Sequence, residues 1–227
     1  MKVVIFGATG MVGQGVLREC LLDPDVDAVV TVGRSATGKQ SPKLHEIVHA
    51  DLLNPAPVAD QIVGFDAGFF CLGVSSAGMT EADYRHVTYD LTLAIAHALA
   101  PRNPAMTFVY VSGAGTDGSG GGRSMWARVK GATENALMQL PFKASYMFRP
   151  GYIHPLHGIV SKTPLYRAAY VLASPLYPVL KALFPAYVTT TEQVGRAMLA
   201  VAKGGAAQAV LENRDINGIA ASGAPST

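Results

Sequence analysis

Val3-Val4-Ile5-Phe6-Gly7-Ala8-Thr9-Gly10-Met11-Val12-Gly13 is the stretch whose reading decides the fold. Val3 to Phe6 are four consecutive β-favouring apolar residues, which predicts a buried strand. From Met11 to Leu22 the apolar side chains of Val12, Val16, Leu17, Cys20 and Leu21 fall on one face of a helix. Between them lies a G-x-x-G-x-x-G turn. Gly7 suits the left-handed backbone of a tight turn, Gly10 lets a pyrophosphate approach without meeting a side chain, and Gly13 lets the helix pack closely on the strand. The helix N-terminus adds free N–H groups and partial positive charge, worth about 0.3–2 kcal/mol toward an anion. A strand, this turn and a helix in succession mark Gly7, Thr9, Gly10, Met11, Val12 and Gly13 as residues that hold a dinucleotide.

Working outward, strand-like runs recur at Ala28 to Val32, Ile47 to Val48, Ala67 to Leu72, Thr107 to Ser112 and Ala144 to Phe148. Helical patterns recur at Glu81 to Leu99 and Ser124 to Leu140. Strand-then-helix repetition predicts an α/β fold, a doubly wound parallel sheet of Rossmann type with right-handed crossovers and helices on both faces. Ser35 to Pro42 reads as a polar loop. Gly113 to Gly122 holds six glycines in ten residues and reads as a mobile one. Past Arg149-Pro150-Gly151 the alternation fades, and residues 152–191 are expected to form a small C-terminal lid on a single domain spanning residues 1–227, followed by a helical run from Glu192 to Ala202.

The chain has 227 residues, enough for one large domain that buries roughly 70% of its unfolded surface. Apolar residues make up 49% and charged ones 15%, too apolar a balance for a disordered chain. A net charge of +2 is too small for a nucleic-acid binder that neutralises phosphates. Two cysteines, Cys20 and Cys71, supply neither a disulfide framework nor a zinc site. No window of about 18 uninterrupted apolar residues predicts a transmembrane span, and no signal-peptide core precedes the first strand. The expected location is cytoplasmic.

The end of the second strand selects the coenzyme. An acidic side chain there would accept from a ribose 2′-hydroxyl, whereas Val32-Gly33-Arg34 presents a guanidinium to a 2′-phosphate, so NADP(H) is expected. Asp51 admits two readings, a contact with the adenine edge or a cap before Pro55.

These residues together resemble the atypical short-chain dehydrogenases/reductases, in particular the NmrA-like and Tat-interacting-protein-like group. The carriers are the glycine turn, Val32-Gly33-Arg34, Cys71-Leu72-Gly73, Val111-Ser112-Gly113-Ala114, Val129-Lys130-Gly131 and Arg149-Pro150-Gly151, within about residues 1–153. The resemblance implies that Leu72 and Gly73 line the coenzyme, that Ser112 and Lys130 are catalytic with Lys130 also holding the nicotinamide ribose, and that Pro150, Gly151, Tyr152 and Ile153 wall the nicotinamide. One position departs from the pattern. Trp126 stands four residues before Lys130, where the family carries a tyrosine as proton donor, and an indole N–H is no general acid.

Tyr152, His154 and His157 are alternative proton carriers, while His154-Pro155-Leu156-His157 lacks a third ligand for a metal. Glu134 and Glu192 bracket a stretch with no acidic residue and with Lys143, Arg149, Lys162, Arg167 and Lys181. Such a stretch suits coenzyme phosphates, an acidic substrate or peripheral contact with anionic lipid, and its aromatics suit a homodimer interface. The leading reading is an NADPH-dependent oxidoreductase acting on a small carbonyl or quinone-like molecule. A non-catalytic NADP(H)-sensing regulator is the alternative. A sugar-nucleotide epimerase ranks last, because the stretch after Arg149 is shorter than the substrate domain such enzymes carry.

Overall fold

The protein is described by a computed structural model covering residues 1–160 and 177–222. The nine strands among the described residues are β1 (Lys2–Phe6), β2 (Ala28–Gly33), β3 (Leu44–Val48), β4 (Ala67–Phe70), β5 (Thr107–Val111), β6 (Ala144–Arg149), β7 (Tyr152–His154), β8 (Val188–Thr190) and β9 (Val210–Glu212). Seven of them form one sheet in the order β3-β2-β1-β4-β5-β6-β9. All pairings are parallel, with Val3 opposite Val29 on one side and Ala67 on the other. This is the Rossmann-like α/β architecture. The order reverses between β1 and β4, and in such sheets the crevice outside the strands' C-terminal ends at that reversal is where ligands enter.

Period-two alternation along β1 divides the core. Val3 and Ile5 point to one face, where they meet α1 (Met11–Leu22), while Val4 and Phe6 point to the other. After α2 (Ala56–Ala59), that second face is covered by α3 (Glu81–Arg85), α4 (Leu91–Leu99) and α5 (Met125–Leu137). A π-helical turn, His86–Asp90, joins α3 to α4, so the single helix expected over Glu81 to Leu99 is locally widened and underwound. Of the expected lid, residues 161–176 lie outside the described part. The rest contributes β7, which pairs in parallel with β8, and a short helix α6 (Tyr177–Leu183). Helix α7 (Thr191–Gly204) returns to the first face, and β9 and α8 (Asn213–Ser222) close the sheet edge. The three-residue strands β7, β8 and β9 are too short for a periodic signal and were absent from the sequence expectation.

Helices α1 and α7 touch through glycine. A Cβ on Gly15 would lie 2.6 Å from the Thr191 carbonyl oxygen, and one on Gly195 would lie 2.8 Å from Cγ of Glu19. Gly15 therefore lets the α1 backbone meet the Thr191 backbone directly, while Gly195 leaves room for the Glu19 side chain. On the other face Glu134 is 1% exposed and its carboxylate receives Arg149 Nε at 3.0 Å and Nη2 at 2.5 Å, while Arg149 Nη1 reaches Glu212 at 3.0 Å. One guanidinium thus ties α5, β6 and β9 together.

Gly15→Ala should force α1 from α7 and destabilise by about 1–3 kcal/mol, read as a lower urea midpoint. Gly218→Ala, on α8 with open space around the new methyl, should instead add up to about 1 kcal/mol by helix propensity alone.

Candidate functional site

The glycine turn occupies the crevice at the β1/β4 reversal. Gly7 has φ +84°, and a Cβ there would lie 2.8 Å from the Leu72 nitrogen and 2.9 Å from the Cys71 carbonyl carbon. Gly13 is equally constrained, since its Cβ would lie 2.1 Å from the Gly7 oxygen. Gly10 differs. Its Cβ would meet only the Gly7 oxygen, at 3.4 Å, so the space before it is open. Gly10 is the N-cap of α1 and offers no side-chain cap, and no acidic residue stands in the first turn that holds Met11, Val12 and Gly13. The N–H groups of that turn are therefore left for an external anion. These residues fit a nucleotide diphosphate.

A cleft of about 610 Å³ starts at Ala8 and Thr9 and runs along α1 past Leu17 and Arg18 to the loop after β2 and to residues 157–160. Arg18, Lys39 and His157 line it and no carboxylate does. Arg34 lies just beyond β2, exposed and with no ion pair among the described residues. Asp51 is exposed and forms a turn. Its carboxylate accepts from the Leu53 N–H at 3.1 Å and its carbonyl from Asn54 at 3.2 Å, which makes it the stop of a turn before Pro55. Leu72 is half-buried against the α4/α5-side core, and Gly73 is exposed with open space at its Cβ. Burial pushes the neighbouring Cys71 thiol up to about 12, so it carries no thiolate near neutrality.

Ser112 and Lys130 are brought together at the end of β5. Lys130 Nζ donates to the carbonyls of Val111 and Ser112, both at 3.3 Å, and sits 5.2 Å from the centroid of the Tyr110 ring. Burial pushes its ammonium down to about 8, with Glu134 one turn on pulling the other way. The Ser112 hydroxyl lies 2.9 Å from Thr116 Oγ1, and Thr116 Oγ1 donates to the Gly113 carbonyl at 2.7 Å. A hydroxyl has one proton, so Thr116 must accept from Ser112. Trp126 lies over the loop that follows. Cβ atoms on Gly113 and Gly115 would sit 3.9 and 3.7 Å from its six-membered ring, at ordinary contact distance, so the indole lies alongside this loop without depending on its glycines.

The Gly113 to Gly122 segment is not loose chain. The Asp117 carboxylate accepts from the Ser119 N–H at 2.9 Å and the Gly122 N–H at 2.6 Å, and the Gly118 carbonyl accepts from Asn135. A Cβ on Gly131 would lie 1.8 Å from the Asp117 oxygen, which explains the glycine after Lys130. Thr116 and Asp117 were missed in the sequence, where the glycines masked them.

The next wall follows β6. The Ala114 N–H donates to the Pro150 carbonyl at 2.9 Å, placing the buried Pro150 beside the Ser112 loop. Gly151 gives its N–H to Asn213 Oδ1 at 2.9 Å, and a Cβ there would lie 2.3 Å from the Tyr187 oxygen. Tyr152 is half-buried, Ile153 is buried, and His154 stacks on Tyr177 with centroids 3.9 Å apart. Desolvation lowers the His154 pKa, favouring the neutral ring. His157 is engaged away from this wall, its Nε2 2.6 Å from Glu192. Arg149 is spent on Glu134 and Glu212, so it adds no free charge to the acid-poor stretch, while Lys162 and Arg167 lie outside the described residues. Among the described residues no helix is long and apolar enough to cross a membrane.

Residues 3–133 match the family model described as "NAD dependent epimerase/dehydratase family". Protein fmp52-2, mitochondrial, of Aspergillus terreus is 30% identical over 72% of this chain and 71% of its own length. Among solved structures, an oxidoreductase of the short-chain dehydrogenase/reductase family from Burkholderia thailandensis superposes with a TM-score of 0.67 at 17% identity, covering 95% of this chain and 92% of that one. The Bordetella bronchiseptica enzyme WbmF in complex with NAD+ superposes at 0.66 with 14% identity, covering 96% and 76%. Both likenesses are of fold. The expected cytoplasmic location is corrected by the curated relatives, which are named as mitochondrial proteins in Aspergillus terreus, Chaetomium globosum and Scheffersomyces stipitis alike. That expectation rested on an absent leader pattern, a weak guide to compartment.

Hydrogen bonds from Ser119 and Gly122 hold the Asp117 carboxyl below the usual carboxylate range. The loop should therefore stay closed above the ordinary aspartate pKa of about 3.9 and open as pH falls through the lowered value. The Gly122 amide shift should titrate with a midpoint below 3.9 by NMR, and Asp117→Asn should abolish the transition.

Proposed function

We propose that this chain, which belongs to the NAD dependent epimerase/dehydratase family and is an NAD(P)-binding Rossmann protein, is an NADPH-dependent oxidoreductase of a small carbonyl or quinone-like substrate. The observation that carries this reading is the convergence at the end of β5, where Lys130 holds the Ser112 carbonyl at 3.3 Å beside the Pro150 wall. Bound NADPH supplies a hydride. The chain's own residues do the rest. The open face of Gly10 and the first turn of α1, with Met11, Val12 and Gly13, receive the diphosphate. Thr9, Leu72 and Gly73 flank it. Lys130 takes the nicotinamide ribose, and Pro150, Gly151, Tyr152 and Ile153 wall the ring. The finer kinship, to the NmrA-like and Tat-interacting-protein-like group, rests on the motifs quoted above.

The choice of NADP(H) over NAD(H) is supported by Arg34, exposed and unpaired among the described residues beyond β2, and by the carboxylate-free lining of the adjoining cleft. A charge-assisted hydrogen bond of roughly 1.5–3 kcal/mol gives about ten- to hundredfold selectivity. Asp51, exposed and with only one carboxylate oxygen engaged by Leu53, is assigned to the adenine edge. The second reading, an NADP(H)-sensing regulator, is favoured by one observation. The indole of Trp126 stands where the resembling enzymes carry their phenol, and it lies against the Gly113–Gly115 backbone.

Trp126 is the sole tryptophan, so NADPH titration should quench its emission by energy transfer, with a far weaker response to NADH. Arg34→Ala should weaken NADPH about ten- to hundredfold and leave NADH within about twofold by calorimetry. An intact protein indifferent to both coenzymes would end the proposal. Turnover of NADPH with quinones separates the reductase from the sensor.

A further inference from the structure

We infer that the cleft along the outer flank of α1 is a second binding site, which takes a carboxylate joined to a straight apolar chain. Its position follows from a missing element. Parallel strands are ordinarily joined through a crossover helix, yet the connection from β2 to β3, residues 34–43, contains none. Such a helix would lie beside α1 on the first face of the sheet. Helix α7 covers one flank of α1 through Gly15, and the opposite flank is left to this loop and to residues 157–160. Gln14, Leu17, Arg18, Leu21 and Leu22 line the cleft from α1, and spacings of three and four residues put them on one helical face. Leu22 is the last residue of α1, about 18 Å from the N-terminus that faces the crevice. A dinucleotide held at Gly10 stays by the C-terminal ends of the strands, whereas this flank runs to the opposite edge of the sheet. Gln14 marks the boundary, its Nε2 donating to the Thr9 carbonyl at 3.2 Å and to the Val160 carbonyl at 3.4 Å.

The lining supplies both halves of an amphiphile. The apolar half is Leu17, Leu21 and Leu22 on one wall and Ile159 and Val160 on the other, with Leu22 62% and Val160 52% exposed. The polar half is cationic. Lys39, on the loop, forms no ion pair among the described residues, and Arg18 keeps N–H groups beyond the one it gives to Glu19. The carboxylates nearby are already engaged. Glu19 is held by Arg18 and by Arg196 at 3.3 Å, Glu192 by His157 at 2.6 Å and Arg196 at 2.8 Å, and Glu46 by the Thr37 N–H at 2.6 Å. A carboxylate entering between Lys39 and Arg18 therefore meets positive charge and no free acid. The volume of about 610 Å³ falls within the roughly 300–1,000 Å³ of small-molecule sites. From Gln14 to Leu22 the face is about 12 Å long, which accommodates a medium-length alkyl chain. The inference does not depend on the reductase reading.

Calorimetry of the full chain with decanoate, kept below micelle formation, should show a single class of site. Octanoate should bind about tenfold more weakly for the methylenes it lacks, and acetate should give no binding heat. Saturating NADPH should leave the decanoate affinity within about twofold. Lys39→Glu should weaken decanoate at least ~tenfold, and Ala36→Trp, which fills the cleft from an exposed loop position, should abolish binding. In the unaltered protein, decanoate should shift the NMR signals of the Thr37, Lys39 and Ile159 amides and spare that of Gly10. Absence of binding, displacement by NADPH, or shifts centred elsewhere would overturn the inference, as would an affinity that neither substitution moves. Turnover of NADPH is a separate readout, so each of these results leaves the reductase reading where it stands.

Discussion

The structure depends on two backbones meeting without a side chain between them at the reversal of the sheet. At Gly7 the turn after β1 lies against the Cys71–Leu72 peptide, and any Cβ would enter that peptide at under 3 Å. The same closeness repeats at Gly13, against the turn itself, and at Gly15, against the start of α7. Protein interiors are close-packed and yield little, so each contact fixes the distance of α1 from a neighbour. The N-terminus of α1 is thereby aimed at the crevice with its first N–H groups free of caps. Geometry of this kind precedes any chemistry the crevice performs.

At the other end of the crevice the chemistry is set by which protons are already committed. Thr116 stands between Ser112 and the Gly113 carbonyl and orders the direction of both hydrogen bonds. Lys130 is held by two carbonyls and deprived of water, and the charged form is then costly enough that its pKa falls to about 8. The indole at 126 lies beside the glycines at 113 and 115 without crowding them, and the loop they belong to is tied by Asp117 and set against Gly131. The glycine run and Gly131 are thus one packing solution, since a side chain at 131 would enter the Asp117 carbonyl.

Charge illustrates why a linear reading overstates what is free. The acid-poor stretch from Glu134 to Glu192 reads as a positive surface, yet Arg149 within it is taken by the two glutamates Glu134 and Glu212, which lie 15 and 63 residues away in the chain. What remains exposed on the described part of that stretch is mostly apolar, with Val179, Leu183, Phe184 and Tyr187 half or more open to solvent. Lys143 and Lys181 on that stretch are exposed and form no ion pair among the described residues, as is also true of Arg34 and Lys39 beyond β2.

The sequence alone determined the alternation of strand and helix, the parallel sheet and the placement of the glycine turn, because period-two and period-3.6 patterns and a φ-tolerant residue are local properties. The grouping of Ser112, Lys130 and Pro150 came from the family resemblance, and the structure adds that β5 and β6 are neighbours in the sheet. Only the tertiary structure decided the rest. The strands β7, β8 and β9 are too short to carry a period and exist through partners supplied from elsewhere in the chain. The direction of the Ser112 proton, the pairing of Arg149 and the lowered pKa of Lys130 are products of which groups end up within 3.5 Å of one another and shielded from water, and sequence separation carries no record of that.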